Sequence, residues 1–254
     1  MRFRILITIV LVLVVSLLFP VASHAAFGDF RQCATAVNDV TSSNIVTIGG
    51  AAGWGNDLGA NPILVLGAKV DGSTRTFTVT GGGGTWTSER STVTVGAYAH
   101  EGIIADSFNA TAGAQPSIEL NVSGAAVLAY VVLCEFEGSA TTAFDDEGTA
   151  TGSSTTPSAS ATITTAPSLQ IGVAFNGANN TYTAGASFTI PANGVVNAAG
   201  STQLALEYIT RGGTGAQAAD FTITSDFWGA MTTSYYSAAA GAVRCMRSLL
   251  GVGC

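Results

Sequence analysis

Arg75-Thr76-Phe77-Thr78-Val79-Thr80 is the stretch that decides the fold class. Phe77 and Val79 fall on one side of an extended chain and the threonines on the other. A period of two is the signature of a β-strand with one buried and one wet face. Thr and Val also favour the extended backbone. The same alternation returns in Thr92-Val93-Thr94-Val95, in Ser117 to Ser123 and in Phe221-Thr222-Ile223-Thr224. It returns once more where Leu169, Ile171, Val173 and Phe175 alternate with Ser168, Gln170, Gly172 and Ala174. Each of these reads as a strand with one wet face.

Two segments depart from alternation. Pro62 to Val70 (PILVLGAKV) and Ala125 to Phe136 (AAVLAYVVLCEF) are nearly unbroken apolar runs. Such runs suit strands covered on both faces. A buried helix competes for 125–136, but β-branched and aromatic residues and the flanking Gly124 and Gly138 favour a strand. Turn-forming clusters separate the runs, among them Asp71-Gly72, Gly81 to Gly84, Asn176 to Asn180 and Gly212-Gly213. Their spacing is that of a sandwich or barrel. Residues 149–166 (TATGSSTTPSASATITTA) read either as a linker or as an exposed strand, the latter supported by Ala159, Ala161 and Ile163. Ala238 to Leu250 has room for one or two helical turns. No internal repeat and no domain boundary stand out.

The chain has 254 residues, of which 47% are hydrophobic and only 10% charged. That hydrophobicity excludes a disordered chain. A pI near 4.6 excludes nucleic acid as a partner, since phosphate binding needs clustered Lys and Arg. Residues 1–25 read as a signal peptide: Arg2 and Arg4, an apolar run from Ile5 to Phe19, Pro20, and Ser23-His24-Ala25 before a cleavage point. The run is short for a membrane anchor, which takes about 20 apolar residues. No Cys sits directly after the cleavage point to carry a lipid, the first being Cys33. Cleavage leaves seven basic against 16 acidic residues, a net charge of −9, and no stable membrane span. The expectation is one sandwich domain over 26–240 and a tail over 241–254 holding two cysteines, secreted or at the cell surface.

LVLGAKVDGSTRTFTVTGGGGTW (64–86), AAVLAYVVLCEFEG (125–138), TITTAPSLQIGVAFNG (162–177) and LALEYITRGGTGAQAADFTIT (204–224) carry a further likeness. Together they resemble the jelly-roll-type β-sandwich domains of phage tail proteins and bacterial secreted surface proteins, over roughly residues 44–240. The resemblance implies an all-β, antiparallel, jelly-roll-like sandwich with a structural, non-catalytic role, and it brings no catalytic residues. The export signal departs from virion proteins, which assemble in the cytoplasm, and so favours the secreted setting. A virion or tail protein remains the alternative.

Glu135 and Glu137 are the candidate catalytic pair. On a strand they share a face about 7 Å apart, and paired carboxylates some 5–10 Å apart perform glycoside hydrolysis. The competing reading is two solvent-facing carboxylates beside a core Phe136. Asp145, Asp146 and Glu147 make a compact acidic loop, a candidate Ca²⁺ site against a plain solvated turn. No other cofactor is implied. His100 lies near Asp106 and Ser107, but no nucleophile elbow accompanies them. Gly81 to Gly84 lacks the Lys and helix of a phosphate loop and reads as a hairpin turn.

Trp54, Trp86 and Trp228 are candidate platforms for a surface glycan, or else core residues. Sheet edges offer self-assembly. Cys33, Cys134, Cys245 and Cys254 allow three disulfide connectivities, and export permits them. The expected bridge ties down the C-terminal segment through Cys245 or Cys254, with Cys134 a buried thiol in its apolar strand. Asn109-Ala110-Thr111, Asn121-Val122-Ser123 and Asn179-Asn180-Thr181 match the glycosylation pattern, which matters only in a eukaryotic source.

Overall fold

A computed structural model of the chain describes residues 26–238, apart from 39–43, 52, 73, 98, 125–127, 179 and 199–200. The expected signal peptide (1–25) and the tail with Cys245 and Cys254 lie outside the described residues. Every regular element described is a strand. The first eight are β1 (Phe30–Asn38), β2 (Ile45–Gly49), β3 (Pro62–Asp71), β4 (Phe77–Gly81), β5 (Thr85–Val95), β6 (His100–Phe108), β7 (Ser117–Val122) and β8 (Ala129–Glu137). They form a five-stranded sheet, β1-β8-β3-β6-β5, and a three-stranded sheet, β2-β7-β4. All their pairings are antiparallel.

The next eight are β9 (Thr142–Ser154), β10 (Ser158–Ile163), β11 (Ser168–Asn176), β12 (Thr183–Ala184), β13 (Val195–Ala198), β14 (Ser201–Arg211), β15 (Gly215–Thr222) and β16 (Asp226–Ser237). They again form a five-stranded sheet, β9-β16-β11-β14-β13, and a three-stranded sheet, β10-β15-β12. Adding eight to each strand number of the first unit reproduces the second. Each unit is an eight-stranded jelly-roll. The expected all-β, antiparallel, jelly-roll-like sandwich is therefore present, but the expectation of a single one over 26–240 without an internal repeat is corrected: it is built twice. Residues 138–141 alone join the two units.

The sheets stack as four layers, with the five-stranded sheets face to face in the middle. Leu64, Leu66, Ile103 and Leu133 pack against Ile48, Ile118 and Leu120 inside the first unit. Ile63, Val65, Ile104, Val132 and Phe136 point the other way, onto Leu169, Ile171, Val173, Leu206 and Met231. This seam is a continuous core shared by both units. Ala174, Ala205, Ala230 and Trp228 meet Ala159, Phe221 and Ile223 inside the second. The unbroken apolar run at 62–70 is thereby explained, since β3 is covered by a sheet on either side.

Residues 149–166 are strand rather than linker, with Ala159, Ala161 and Ile163 buried as their alternation requires. The described part of 125–136 is strand rather than helix. One expectation needs correcting. β11 has no wet face, because the sheet containing β10 and β15 covers Gln170, Gly172 and Ala174. A Cβ on Gly172 would meet Ala219 at 2.7 Å, so the outer sheet lies directly on this strand.

Candidate functional site

The Glu135/Glu137 pair lies at the end of β8, beside edge strand β1. β1 carries a register irregularity between Phe30 and Gln32. An extra residue in one strand brings two side chains against one partner. Arg31 and Gln32 consequently both reach Glu135. Its Oε1 accepts from Arg31 Nε at 2.9 Å and from Gly59 N at 2.7 Å, and its Oε2 accepts from Gln32 Nε2 at 2.7 Å. Glu137 takes the other side of the guanidinium, at 3.0 Å from Arg31 Nη1. The side chain of Glu135 is 0% exposed and that of Glu137 only 16%.

The expected solvent-facing pair is thus corrected, for the 54–60 loop closes over Glu135. Gln32 holds that loop through the backbone of Asn56, receiving Asn56 N at 2.8 Å and donating to Asn56 O at 2.8 Å. Both oxygens of Glu135 are taken by these partners. Its evident chemistry is to orient Arg31 and Gln32.

In front of this group opens a cleft of about 510 Å³ lined by Asp29, Phe30, Arg31, Gln32, Asn56 and Tyr208. It straddles the seam, because Tyr208 belongs to β14 of the second unit and the others to the first. Phe30 stacks on Tyr208 at 5.7 Å, and Phe136 lies behind Tyr208 at 5.2 Å. Burial, and secondarily the charge of Asp29, raises the Tyr208 hydroxyl above its ordinary pKa. Apart from Glu135 as a candidate, none of these residues was singled out from sequence. The available signal was scarcity: in a chain with nine basic residues, each Arg has a specific partner to find.

The other candidates are dispersed. Asp145, Asp146 and Glu147 form part of β9, not a loop. Asp145 is the bulged residue there, and its carboxylate receives Thr164 N at 2.8 Å, while Asp146 receives Thr162 N at 2.6 Å. The two carboxylates face strand β10 rather than converging on a common point. Among the described residues no group of three or more metal-ligating side chains is arranged to hold an ion.

Trp54 and Trp228 are core residues, 4% and 7% exposed, and donate to Pro116 O and Ser154 Oγ. Neither offers an open ring face to a sugar. Trp86 is half-buried against the first core and donates to Gly81 O. His100 pairs with Asp71 at 2.9 Å, whereas Asp106 is held by Arg90 at 2.6 Å. Six residues of strand, about 20 Å, separate His100 from Asp106. The hairpin reading of Gly81 to Gly84 is corrected: φ is left-handed at Gly81, Gly82 and Gly83, but β4 pairs with β7 and β5 with β6, so the loop carries the chain from one sheet of the unit to the other.

Cys33 and Cys134 are register partners on β1 and β8 and form a disulfide, both buried in the seam. Cys134 is therefore not a free thiol, and this bridge ties down the first strand; the expected bridge through Cys245 or Cys254 falls outside the described residues. A buried disulfide indicates an oxidising environment.

One regularity unites the acidic side chains. Among the described residues, eight carboxylates accept a backbone N–H: Asp29, Glu89, Glu101 and Glu135 in the first unit, and Asp145, Asp146, Glu207 and Asp226 in the second. They cap loops and strand ends that the ladders leave open. No protein family, curated protein or solved structure matches the chain.

Proposed function

We propose that the chain is a secreted, non-catalytic jelly-roll module of the cell surface or extracellular space, serving adhesion, assembly or glycan binding. The observation that supports it is the use made of the scarce charges. Carboxylates that could do acid–base chemistry are turned onto backbone N–H groups and arginines instead. The disulfide suits export, and the signal-like residues 1–25 supply the route. The reading is tested by fractionating the source cells and sequencing the mature N-terminus. It expects a chain starting at residue 26, outside the cytoplasm; an intact N-terminus on a cytoplasmic protein sinks it.

A second reading, a phage- or virus-derived virion or tail component, is favoured by the doubled jelly-roll, a unit used in capsids. Co-sedimentation of the native chain with particles would select it. Glycan hydrolysis through Glu135 and Glu137 is not proposed, because Glu135 is enclosed.

A further inference from the structure

We propose that the seam cleft of Asp29, Phe30, Arg31, Gln32, Asn56 and Tyr208 binds a neutral saccharide. The inference rests on the extracellular reading and names the ligand class for its glycan-binding arm. Charge makes the first selection. The Arg31 guanidinium is matched by Glu135 and Glu137 at 2.9 and 3.0 Å, and Asp29 adds a further negative charge. An anionic ligand meets a surplus of carboxylates, and a cationic one finds Glu135 enclosed and Glu137 already paired with Arg31. A neutral ligand encounters neither penalty.

Hydrogen-bonding capacity makes the second selection. Arg31 binds its carboxylates through Nε and Nη1, which leaves Nη2 to donate. The Asn56 loop is held by its backbone, so its side-chain amide keeps both a donor and an acceptor. Asp29 uses Oδ2 on Ala26 N and keeps Oδ1. Tyr208 brings a hydroxyl that can do either. Mixed donors and acceptors on a small surface match a ring of hydroxyls, each of which donates and accepts. The Phe30 and Tyr208 rings provide apolar surface for the C–H face of a sugar.

The groups are also preorganised, which lowers the ordering cost of binding. Arg31 is fixed by two carboxylates and lies against Gly59, where a Cβ would come within 2.8 Å of the guanidinium carbon. The cleft volume of about 510 Å³ falls within the usual range for small-ligand sites, about 300–1,000 Å³.

The test is isothermal titration of the mature chain with neutral hexasaccharides of glucose, N-acetylglucosamine, galactose and mannose. Uronate and sulfated hexasaccharides form the comparison arm. The expected result is saturable, salt-insensitive binding of at least one neutral probe. Tyr208→Phe and Asn56→Ala each weaken it about three- to tenfold, the worth of one hydrogen bond. Gly59→Ala weakens it by displacing Arg31. Thr47→Ala, on the exposed face of β2, leaves it unchanged. Binding of none of the neutral probes, binding confined to acidic probes, or neutral binding indifferent to both cleft variants overturns the inference. Fractionation is read separately, so an exported chain that binds no saccharide overturns this proposal and leaves the surface-module reading standing.

Discussion

Glu207 on β14 shows what a single side chain contributes. It is fully buried beneath the second unit's outer sheet, and Oε2 receives Gly185 N at 2.9 Å. Burial pushes its carboxyl up to about 8, with Asp220 adding to the shift and Arg211 opposing it. A carboxyl raised on folding favours the fold where it stays protonated. Its contribution is complete below about pH 4.5, the unfolded value, and fades as pH rises to about 8. At 1.36 kcal/mol per unit the loss is at most about 5 kcal/mol. Glu207→Gln should flatten the stability profile between pH 5 and 8 and raise the denaturation midpoint at pH 8. Urea melts across that range measure it. Glu135 contributes through its hydrogen-bond partners. Glu135→Ala leaves Arg31 Nε and Gly59 N without their acceptor and takes one of two from Gln32 Nε2, and should cost about 3 kcal/mol, read from the same melts. The sequence identified Glu135 as notable, but not why. Its side-chain partners, Arg31 and Gln32, lie about a hundred residues away on β1, brought opposite by a bulge that no local pattern announces.

The elements were largely legible as strands, and their environment less so. Alternation at 75–80, 92–95 and 117–123 correctly marks half-buried strands, because the pleat and the sequence share a period of two. β11 has the same alternation and is buried on both sides. Small or neutral polar residues at Ser168, Gln170, Gly172 and Ala174 can face either water or a closely laid sheet, so pattern alone does not separate the cases. The acidic run 145–147 was read as a loop for a related reason. Adjacent carboxylates usually sit in solvent, but here Asp146 receives Thr162 N on β10 and Asp145 receives Thr164 N just past its end, which blunts an edge that would otherwise seek another strand. At β1 the protection is covalent. The Cys33–Cys134 bridge closes a loop of 101 residues between edge and neighbour. Replacing both cysteines by Ser should cost about 2–5 kcal/mol and lower the thermal midpoint, measured by calorimetry.

At the scale of the molecule, the seam holds two jelly-rolls as one body. Phe175 lies between Gly102 and Gly229, and a Cβ on Gly102 would run into its ring. Gly102→Val should therefore destabilise the protein by about 1–3 kcal/mol through overpacking, seen as a lower urea midpoint at unchanged slope. Residues 26–138 expressed alone should bind a hydrophobic dye and self-associate, because Ile63, Val65, Ile104, Val132 and Phe136 lose their cover. The duplication escaped the sequence for a concrete reason. Pro62 to Gly67 and Pro167 to Gly172 have the same spacing. Yet Ile63 and Val65 face the seam in one unit and Leu169 and Ile171 in the other, one residue out of step.

What the sequence determined by itself was strand and fold class, through period-two patterning and the Thr and Val that favour it. These are local or summed properties, carried by neighbours in the chain. Only the tertiary structure decided the doubling, the disulfide partner, the burial of Glu135 and the cleft. Each depends on residues far apart in the chain meeting across a sheet or a seam, and such meetings are set by register and layer packing.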